Sequence, residues 1–600
     1  MRGHDAGLGA VVLAVAALAL PGCRAPEDRG GIPPEVAFVE WSPAAFERAR
    51  AEGGKLVLLD LGAVWCHWCH VMEETTYADL AVRRLLDEHF IAVKVDQDAR
   101  PDLANRYEDY GWPATIVFDA SGNEIVKRRG YVPPGEMAAL LRACVEDPTP
   151  GPSAVPEKKV ALGDASSLGP ALRDELLRSF LATYDPAEGG FGFVHKYLES
   201  DSIELCLALA FRGDHEAEAM ARVTIGKERA HLVDPVWGGA YQYSHGGVWV
   251  NPHFEKIMPR QAGDLVAMSL AHAQWGDDGS LAGAREIVRY LRGFLLSPEG
   301  AFYASQDADV VPGEHAGGYF ALGDGERRAL GTPRVDRSLY ARENGFAIRG
   351  LAAYVAASGD DAALAMAVRA AEWALSRRAL PGGGFRHGDA DAGGPYLGDT
   401  LAMGRAFLAL HAVTAERRWL DAAAAAARFV ADTFAVGGEA GFATARPSPK
   451  DVVAPLPQID ENAGVARFGA LLARYTGSEE HRALSSRAMR YLATPEIARS
   501  RGGFAAGILL ADLERSEDPP HVTVVGAKDD PRARALFRAA GRIPAESRRV
   551  EWWDPEEGPL PNPDTPLPDL GSPAAFVCAN GACSSPLSSP EAVLAAVRRR

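Results

Sequence analysis

Residues 65–70 read Trp-Cys-His-Trp-Cys-His, directly after the apolar run Leu56-Val57-Leu58-Leu59. Two cysteines separated by two residues at a strand end suit thiol–disulfide exchange: Cys66 attacks as thiolate and Cys69 resolves the mixed disulfide. The same hexapeptide satisfies covalent haem attachment, with His70 as axial ligand. A zinc site using Cys66, Cys69 and His70 would need a fourth ligand that the local sequence does not provide. An inert structural disulfide is the plainest alternative.

An exchange site needs a strand to deliver the motif and a helix to start on it. Lys55–Leu61 reads as that strand, followed by a helix through Leu86, a second strand at Phe90–Val95, and a helical stretch at Asp102–Tyr110. Strands at Thr115–Phe118 and Glu124–Arg128 and a helix at Pro134–Cys144 complete a small α/β sheet over residues 38–145. Asp60 lies on the incoming strand and Trp65 just before Cys66. Trp112-Pro113 precedes the third strand. These features resemble the thioredoxin active-site entry, and the resemblance covers the whole unit. It implies an exposed Cys66 at a helix N-terminus, where the partial positive charge lowers the thiol pKa. It implies Asp60 buried behind Cys69 as proton acceptor or relay, and a cis Pro113 that sets the Trp112 backbone beside the cysteines. His67, partly protonated, would favour the thiolate and so stabilise the reduced form.

Proline-rich residues 146–162 read as a linker. Residues 163–515 show apolar residues at helical spacing, for example in Leu172–Tyr184, Ala363–Leu380 and Ala466–Tyr475. A glycine–aromatic turn recurs at Gly190-Phe191, Gly239-Ala240-Tyr241, Gly300-Ala301-Phe302, Gly384-Phe385, Gly441-Phe442 and Gly503-Phe504. Six such turns, with five intervals between them that are each long enough for two helices, predict a closed toroid of helical hairpins. Residues 519–600 read as a small α/β appendage, with Cys578 and Cys583 as a candidate structural disulfide. The fold class is therefore multidomain: a thioredoxin-like α/β domain, an all-α (α/α)6 toroid and a C-terminal α/β unit.

Acids and aromatics gather near the toroid turns. His253 and Glu255 follow the second turn, Asp307 and Asp309 the third, and Asp399 opens a later helix. Paired acids beside flat rings suit a sugar site, although acids near helix starts also serve as caps. The stretches Cys66–Glu73, Pro252–Lys256, Gln306–Asp309 and Phe576–Cys578 together resemble the family that joins a thioredoxin-like domain to a six-hairpin toroid, the spermatogenesis-associated thioredoxin-domain type. That resemblance implies kinship with glycosidases and sugar epimerases. This chain departs from the family's pattern after Lys256, where Ile257-Met258-Pro259-Arg260-Gln261 lacks the usual aspartate. It departs again at Gly398, where glutamate is usual.

The chain has 600 residues, 47% hydrophobic and 24% charged, and a formal charge of −17. That excess of acid excludes a nucleic-acid binder, and Arg598-Arg599-Arg600 reads as a solvated tail. Leu8–Leu20 is too short to span a bilayer and reads as a signal h-region. It ends Leu20-Pro21-Gly22-Cys23, which resembles a bacterial lipobox with Cys23 as the acylated residue. Residues 1–23 are thus expected to be a lipoprotein-type signal peptide. The expected location is periplasmic, with a lipid anchor as the only membrane contact and the outer membrane favoured by Arg24. Export agrees with seven cysteines, of which Cys144 and Cys206 read as buried hydrophobes. The expected function is thiol–disulfide exchange with a protein substrate or redox partner, without cofactor or metal. The alternative is a toroid that binds or turns over a glycan, with the thioredoxin-like unit as accessory.

Overall fold

The computed structural model describes residues 35–154, 160–389, 391, 393–438, 440–449, 451–563, 566–579 and 582–598. The signal-peptide and Cys23 expectations lie outside the described residues, as do Arg599 and Arg600.

The N-terminal unit comprises α1 (Pro43–Ala51), β1 (Leu56–Gly62), α2 (His67–Thr75), α3 (Leu80–His89), β2 (Phe90–Asp96), α4 (Pro101–Arg106), β3 (Ala114–Phe118), β4 (Glu124–Arg129) and α5 (Pro134–Glu146). Its sheet runs β2-β1-β3-β4, with β1 parallel to β2 (Leu56↔Phe90) and antiparallel to β3 (Val57↔Phe118). Central β1 is buried along its whole length, which explains its near-continuous apolar sequence. Val57, Leu59 and Leu61 pack with Trp41, Phe46 and Tyr107; Leu56 and Leu58 pack with Met72, Val82 and Leu141 on the other face. Strand alternation puts Asp60 and Gly62 on that second face, under α2. The helix expected to run through Leu86 is two helices. Asp79 breaks it by capping α3, accepting from the Ala81 and Val82 amides.

The second unit contains α6 (Pro170–Leu181), α7 (Ser200–Phe211), α8 (His215–His231), β5 (Tyr243–Ser244), β6 (Pro252–His253), β7 (Lys256–Ile257), α9 (Met258–Trp275), α10 (Asp278–Tyr290), β8 (Ser305–Gln306), α11 (Gly317–Phe320), α12 (Asp324–Leu330), β9 (Val335–Asp336), α13 (Ala341–Ser358), α14 (Asp361–Arg377), α15 (Leu397–Thr414), α16 (Arg417–Thr433), α17 (Ile459–Thr476), α18 (Glu479–Leu492), α19 (Pro495–Ser500) and α20 (Ala506–Ser516). Helices α7, α9, α13, α15, α17 and α20 form an inner ring in which each touches the next and α20 returns to α7. Helices α8, α10, α14, α16 and α18 each pack outside their predecessor, and α6 packs outside α20 to complete the sixth hairpin. The ring is therefore a closed helical toroid. Its inner helices are mostly buried all round: α9 and α15 bury more than a single stripe, as expected for helices between a core and a partner ring.

The third unit has β10 (His521–Val525), α21 (Pro531–Gly541), β11 (Arg549–Trp553), β12 (Ala574–Ala579), β13 (Ala582–Cys583) and α22 (Pro590–Arg598), with sheet order β11-β10-β12-β13. Cys578 and Cys583 are register partners across β12 and β13 and form a disulfide. This unit closes the C-terminal end of the inner ring. Its Glu546 sits among Arg349, Arg405 and Arg467, and Arg467 also pairs with Glu204 at 2.7 Å and Glu514 at 2.9 Å. Among the described residues, no helix is long and apolar enough to cross a membrane.

Candidate active site

Cys66 and Cys69 form a disulfide with their Cα atoms 5.3 Å apart. Cys66 is the N-cap of α2, and its sulfur accepts from the Cys69 amide at 3.2 Å. An anionic sulfur at this position would be stabilised by the same amide and by the helix dipole. The Trp112–Pro113 peptide is cis, and Trp112 packs against the cysteine pair together with Ala63 and Trp65. Beneath the pair, Gly62 lets β1 pass close by: a Cβ there would stand 3.3 Å from Cys69 Sγ. Asp60 is 4% exposed, and burial pushes its carboxyl up to about 6, with Glu73 adding to the rise and Lys94 opposing it.

One expectation is corrected. Cys66 is not exposed: only 4% of it is accessible, in an apolar cluster against which Trp112 and the toroid's Ile257 both pack. Trp68 is instead the exposed member of the motif, at 44%.

The toroid ribbon that carries Ile257 has a simple logic. β7 pairs antiparallel with β8, matching Lys256 with Gln306 and Ile257 with Ser305. Lys256 points into the toroid, where its ammonium meets Asp234 at 2.7 Å, and Asp234 also binds Arg327 at 2.8 Å. Alternation then turns Glu255 and Ile257 the other way, towards the thioredoxin-like domain. Continuing the same register sets Asp307 opposite Glu255 and Asp309 opposite His253.

These acids meet the two histidines of the cysteine motif. His67 Nδ1 lies 2.9 Å from Asp309 Oδ1; His70 Nδ1 lies 3.1 Å from Asp309 Oδ2, and His70 Nε2 lies 3.7 Å from Asp307 Oδ2. The Gly313 amide donates to Asp309 Oδ2 at 2.9 Å, and the loop around it rests on α2 near Glu74 and Val71. The hydrogen bond to Asp309 raises the His67 pKa against the effect of burial. Burial lowers that of His70, but the Asp309 bond and the Asp307 and Asp309 charges outweigh it and leave it raised. Burial raises Asp309, yet the donors from His67, His70 and Gly313 prevail and hold it at about 2. Asp307 goes the other way, pushed up to about 6, chiefly by burial.

A second set of contacts fixes the domain across the toroid mouth. Trp65 Nε1 donates to Asp98 Oδ2 at 2.8 Å. Burial raises the Asp98 carboxyl, as do neighbouring Asp96 and Glu343. The Asp98 carbonyl meets His387 Nε2 at 2.6 Å, while His387 Nδ1 meets Asp399 Oδ1 at 2.9 Å. An imidazole between two acceptors is best satisfied as imidazolium, and the Asp399 charge and bond raise its pKa against burial. Asn105 donates to Thr444 Oγ1 at 2.6 Å, and Gln458 donates to Glu108 at 3.0 Å.

The toroid candidates therefore separate. His253, Glu255, Asp307 and Asp309 gather on the ribbon facing the cysteine motif, whereas Asp399 is taken up by His387 beneath the Asp98 loop. The cavity beside the docked domain, about 660 Å³, is lined instead by Tyr197, Glu199, Asp201, Asp460, Arg501 and Phe504. At Gly398, where the family pattern has glutamate, a Cβ would stand 3.0 Å from Glu461 and 3.3 Å from Arg342, so those side chains occupy the space. Arg260, in the segment that lacks the family's aspartate, is ion-paired with Glu228 at 2.8 Å. No metal is expected from the sequence, and His387 carries no signal there, while Ile257 stands in it only as part of the segment that departs from the family's pattern. Among the described residues, His70, Asp307 and Asp309 form a group whose ligand atoms all lie within 4.8 Å of one another, close enough for a shared cation.

Comparison with known proteins agrees with the geometry of the cysteine pair. Residues 32–143 match the family model described as "Protein of unknown function, DUF255", of the DsbH thioredoxin type. The N-terminal unit is a thioredoxin-like domain. It is 38% identical over 102 residues to the thiol:disulfide interchange protein DsbD of Ralstonia nicotianae, covering 16% of this chain and 17% of that one. The chain is homologous to human spermatogenesis-associated protein 20, with 30% identity over 315 residues, covering 46% of this chain and 39% of that protein. It thus spans less than half the length of this relative and of its mouse and Caenorhabditis elegans counterparts. A cellobiose 2-epimerase from Bacillus thermoamylovorans aligns with a TM-score of 0.44 at 9% identity, over 54% of this chain and 86% of that one.

Proposed function

We propose that the protein is a thiol–disulfide oxidoreductase acting through Cys66 and Cys69. The observation that carries this reading is the disulfide capping α2, with the cis Trp112–Pro113 loop beside it and the buried carboxyl of Asp60 beneath. In the reduced protein the Cys66 thiolate attacks a substrate disulfide, forming a mixed disulfide and releasing one substrate thiolate. Cys69 passes its proton to Asp60 and attacks Cys66 Sγ. The second substrate thiolate leaves, the substrate has gained two electrons, and the Cys66–Cys69 disulfide is restored. A dithiol donor resets the pair. His67, whose pKa the Asp309 hydrogen bond raises, supports the thiolate form of Cys66 when protonated.

The substrate is a protein disulfide, admitted when the Ile257 ribbon gives way, so the toroid acts as a selecting cover. The setting is outside the cytoplasm, where disulfides persist, with Leu8–Leu20 as export signal and Cys23 as lipid anchor. The test is Cys66→Ser in the full chain. Reduction of a model protein disulfide should fall below about 1% of the parent while the fold is retained; unchanged turnover would refute the assignment.

A second reading is favoured by the cavity of about 660 Å³ at the domain seam, where Tyr197 and Phe504 flank Asp460 and Arg501. Rings and charged groups of this kind suit a glycan. Screening the chain against a glycan array tests it, and silence across the array removes it.

A further inference from the structure

We propose that His70, Asp307 and Asp309 bind a divalent first-row metal ion, zinc in the first instance, at the seam between the thioredoxin-like domain and the toroid. Ligands held about 2.0–2.2 Å from one ion lie roughly 3–4 Å apart, and these three side chains place ligand atoms within 4.8 Å of one another. They come from different parts of the chain: His70 from α2, and both aspartates from the segment after β8.

An independent observation points to the same spot. Glu255 is 3% exposed, and its Oε2 has no hydrogen-bond partner. The β7–β8 register sets it opposite Asp307, on the face that meets α2. Its charge raises the pKa of both Asp307 and His67, so it faces the same cluster. A buried carboxylate oxygen without a donor is costly, and a cation among Glu255, Asp307 and Asp309 removes that cost. His253 Nδ1, 3.9 Å from Glu255 Oε1, stands at the rim.

The donor set narrows the ion. One imidazole with carboxylates suits zinc, manganese or ferrous iron. The cysteine sulfurs are joined to each other, so soft thiolate ligation does not enter. The ion would bridge the two domains next to the disulfide and hold the Ile257 cover in place. The proposal does not depend on exchange at Cys66.

The test uses the full chain with its disulfides formed, stripped with a chelator and titrated with Zn²⁺ alone and, separately, Mn²⁺ alone. Binding is read by calorimetry and by metal content after desalting. About one ion per chain is expected, for the parent and equally for the Cys66→Ser/Cys69→Ser double variant, which removes thiol ligation as the source. Asp307→Asn and Glu255→Gln keep side-chain volume, and His70→Asn keeps a polar side chain without the imidazole; Asp307→Asn and His70→Asn should weaken binding at least about 100-fold and Glu255→Gln about 10-fold. The ion should raise the thermal midpoint of the parent and leave that of Asp307→Asn unmoved, with circular dichroism confirming that each variant is folded. Should Asp307→Asn not fold, His70→Asn and Glu255→Gln decide. Absence of binding to the parent, or undiminished binding in the folded variants, overturns the proposal.

Discussion

The His67 imidazole and the Asp309 carboxylate meet at 2.9 Å across 242 residues of sequence. That contact ties the residue following Cys66 to the toroid, and Ile257 packs on the cysteine cluster beside it. The cysteine motif is thus built into a domain interface.

Loosening the seal should expose the disulfide. Ile257→Ala removes the toroid side chain packed on the Cys66 cluster while leaving the Lys256–Asp234 anchor in place. Its expected effect is about a 10-fold faster reduction by a small thiol, with a stability loss of about 1–2 kcal/mol because Ile257 is only partly buried. Stopped-flow reduction and urea unfolding measure the two. An unchanged rate would mean that Ile257 does not limit access.

Asp60 should make stability depend on pH. Its carboxyl titrates at about 6 in the fold, against 3.8 for an unperturbed aspartate. Below about pH 4 it is neutral in both states and carries no cost. Between pH 4 and 6 the unfolded chain ionises first, so the folded state loses ground as pH rises; above 6 the full cost is present. Asp60→Asn should therefore raise unfolding free energy at pH 7 by on the order of 2 kcal/mol, a gain that vanishes below about pH 4. The same variant should slow resolution by Cys69 at least about 100-fold, as loss of a proton acceptor does. Denaturant titrations at two pH values, with rapid-quench thiol trapping, separate these effects.

The thioredoxin-like site was legible because its parts are local: β1, Cys66, Cys69 and the start of α2 are contiguous, and Asp60 and Pro113 belong to the same small sheet. The toroid was legible from helical periodicity and its glycine–aromatic turns. What joins them was not. Nothing in the spacing of Cys66 and Cys69 reveals that Ile257 will cover them, because that depends on how two folded surfaces dock. His253, Glu255, Asp307 and Asp309 were recognisable as clustered polar residues, but the alternation that aims them at His67 and His70 follows from the β7–β8 register. His387 gave no sequence signal, since its partners are a carbonyl at Asp98 and a carboxylate at Asp399.

His387 should hold the docked domain. With His387→Leu, Asp399 loses its imidazole partner and the Asp98 carbonyl loses its contact with His387 Nε2, a loss of about 3 kcal/mol when a buried pair is broken. Residues 96–102 should then exchange amide hydrogens at least about 10-fold faster while the toroid helices keep their protection. Hydrogen exchange by mass spectrometry reads this directly, and unaltered exchange would show that the contact does not support docking.

The C-terminal disulfide should be separable from activity. Cys578 and Cys583 are five residues apart in sequence, and closing so short a loop is worth about 2 kcal/mol in the chain-entropy model. Replacing both by serine should lower stability by about that amount and leave disulfide reduction by Cys66 unchanged. A parallel loss of turnover would place the C-terminal pair in the electron path.

The central claim concerns the Cys66–Cys69 pair, and equilibrium titration against glutathione with mass-resolved thiol labelling tests it most directly. The account predicts that these two cysteines convert together between disulfide and dithiol at a potential above about −300 mV, with the protein folded throughout. A Cys66–Cys69 disulfide that opens only when the chain unfolds would contradict it.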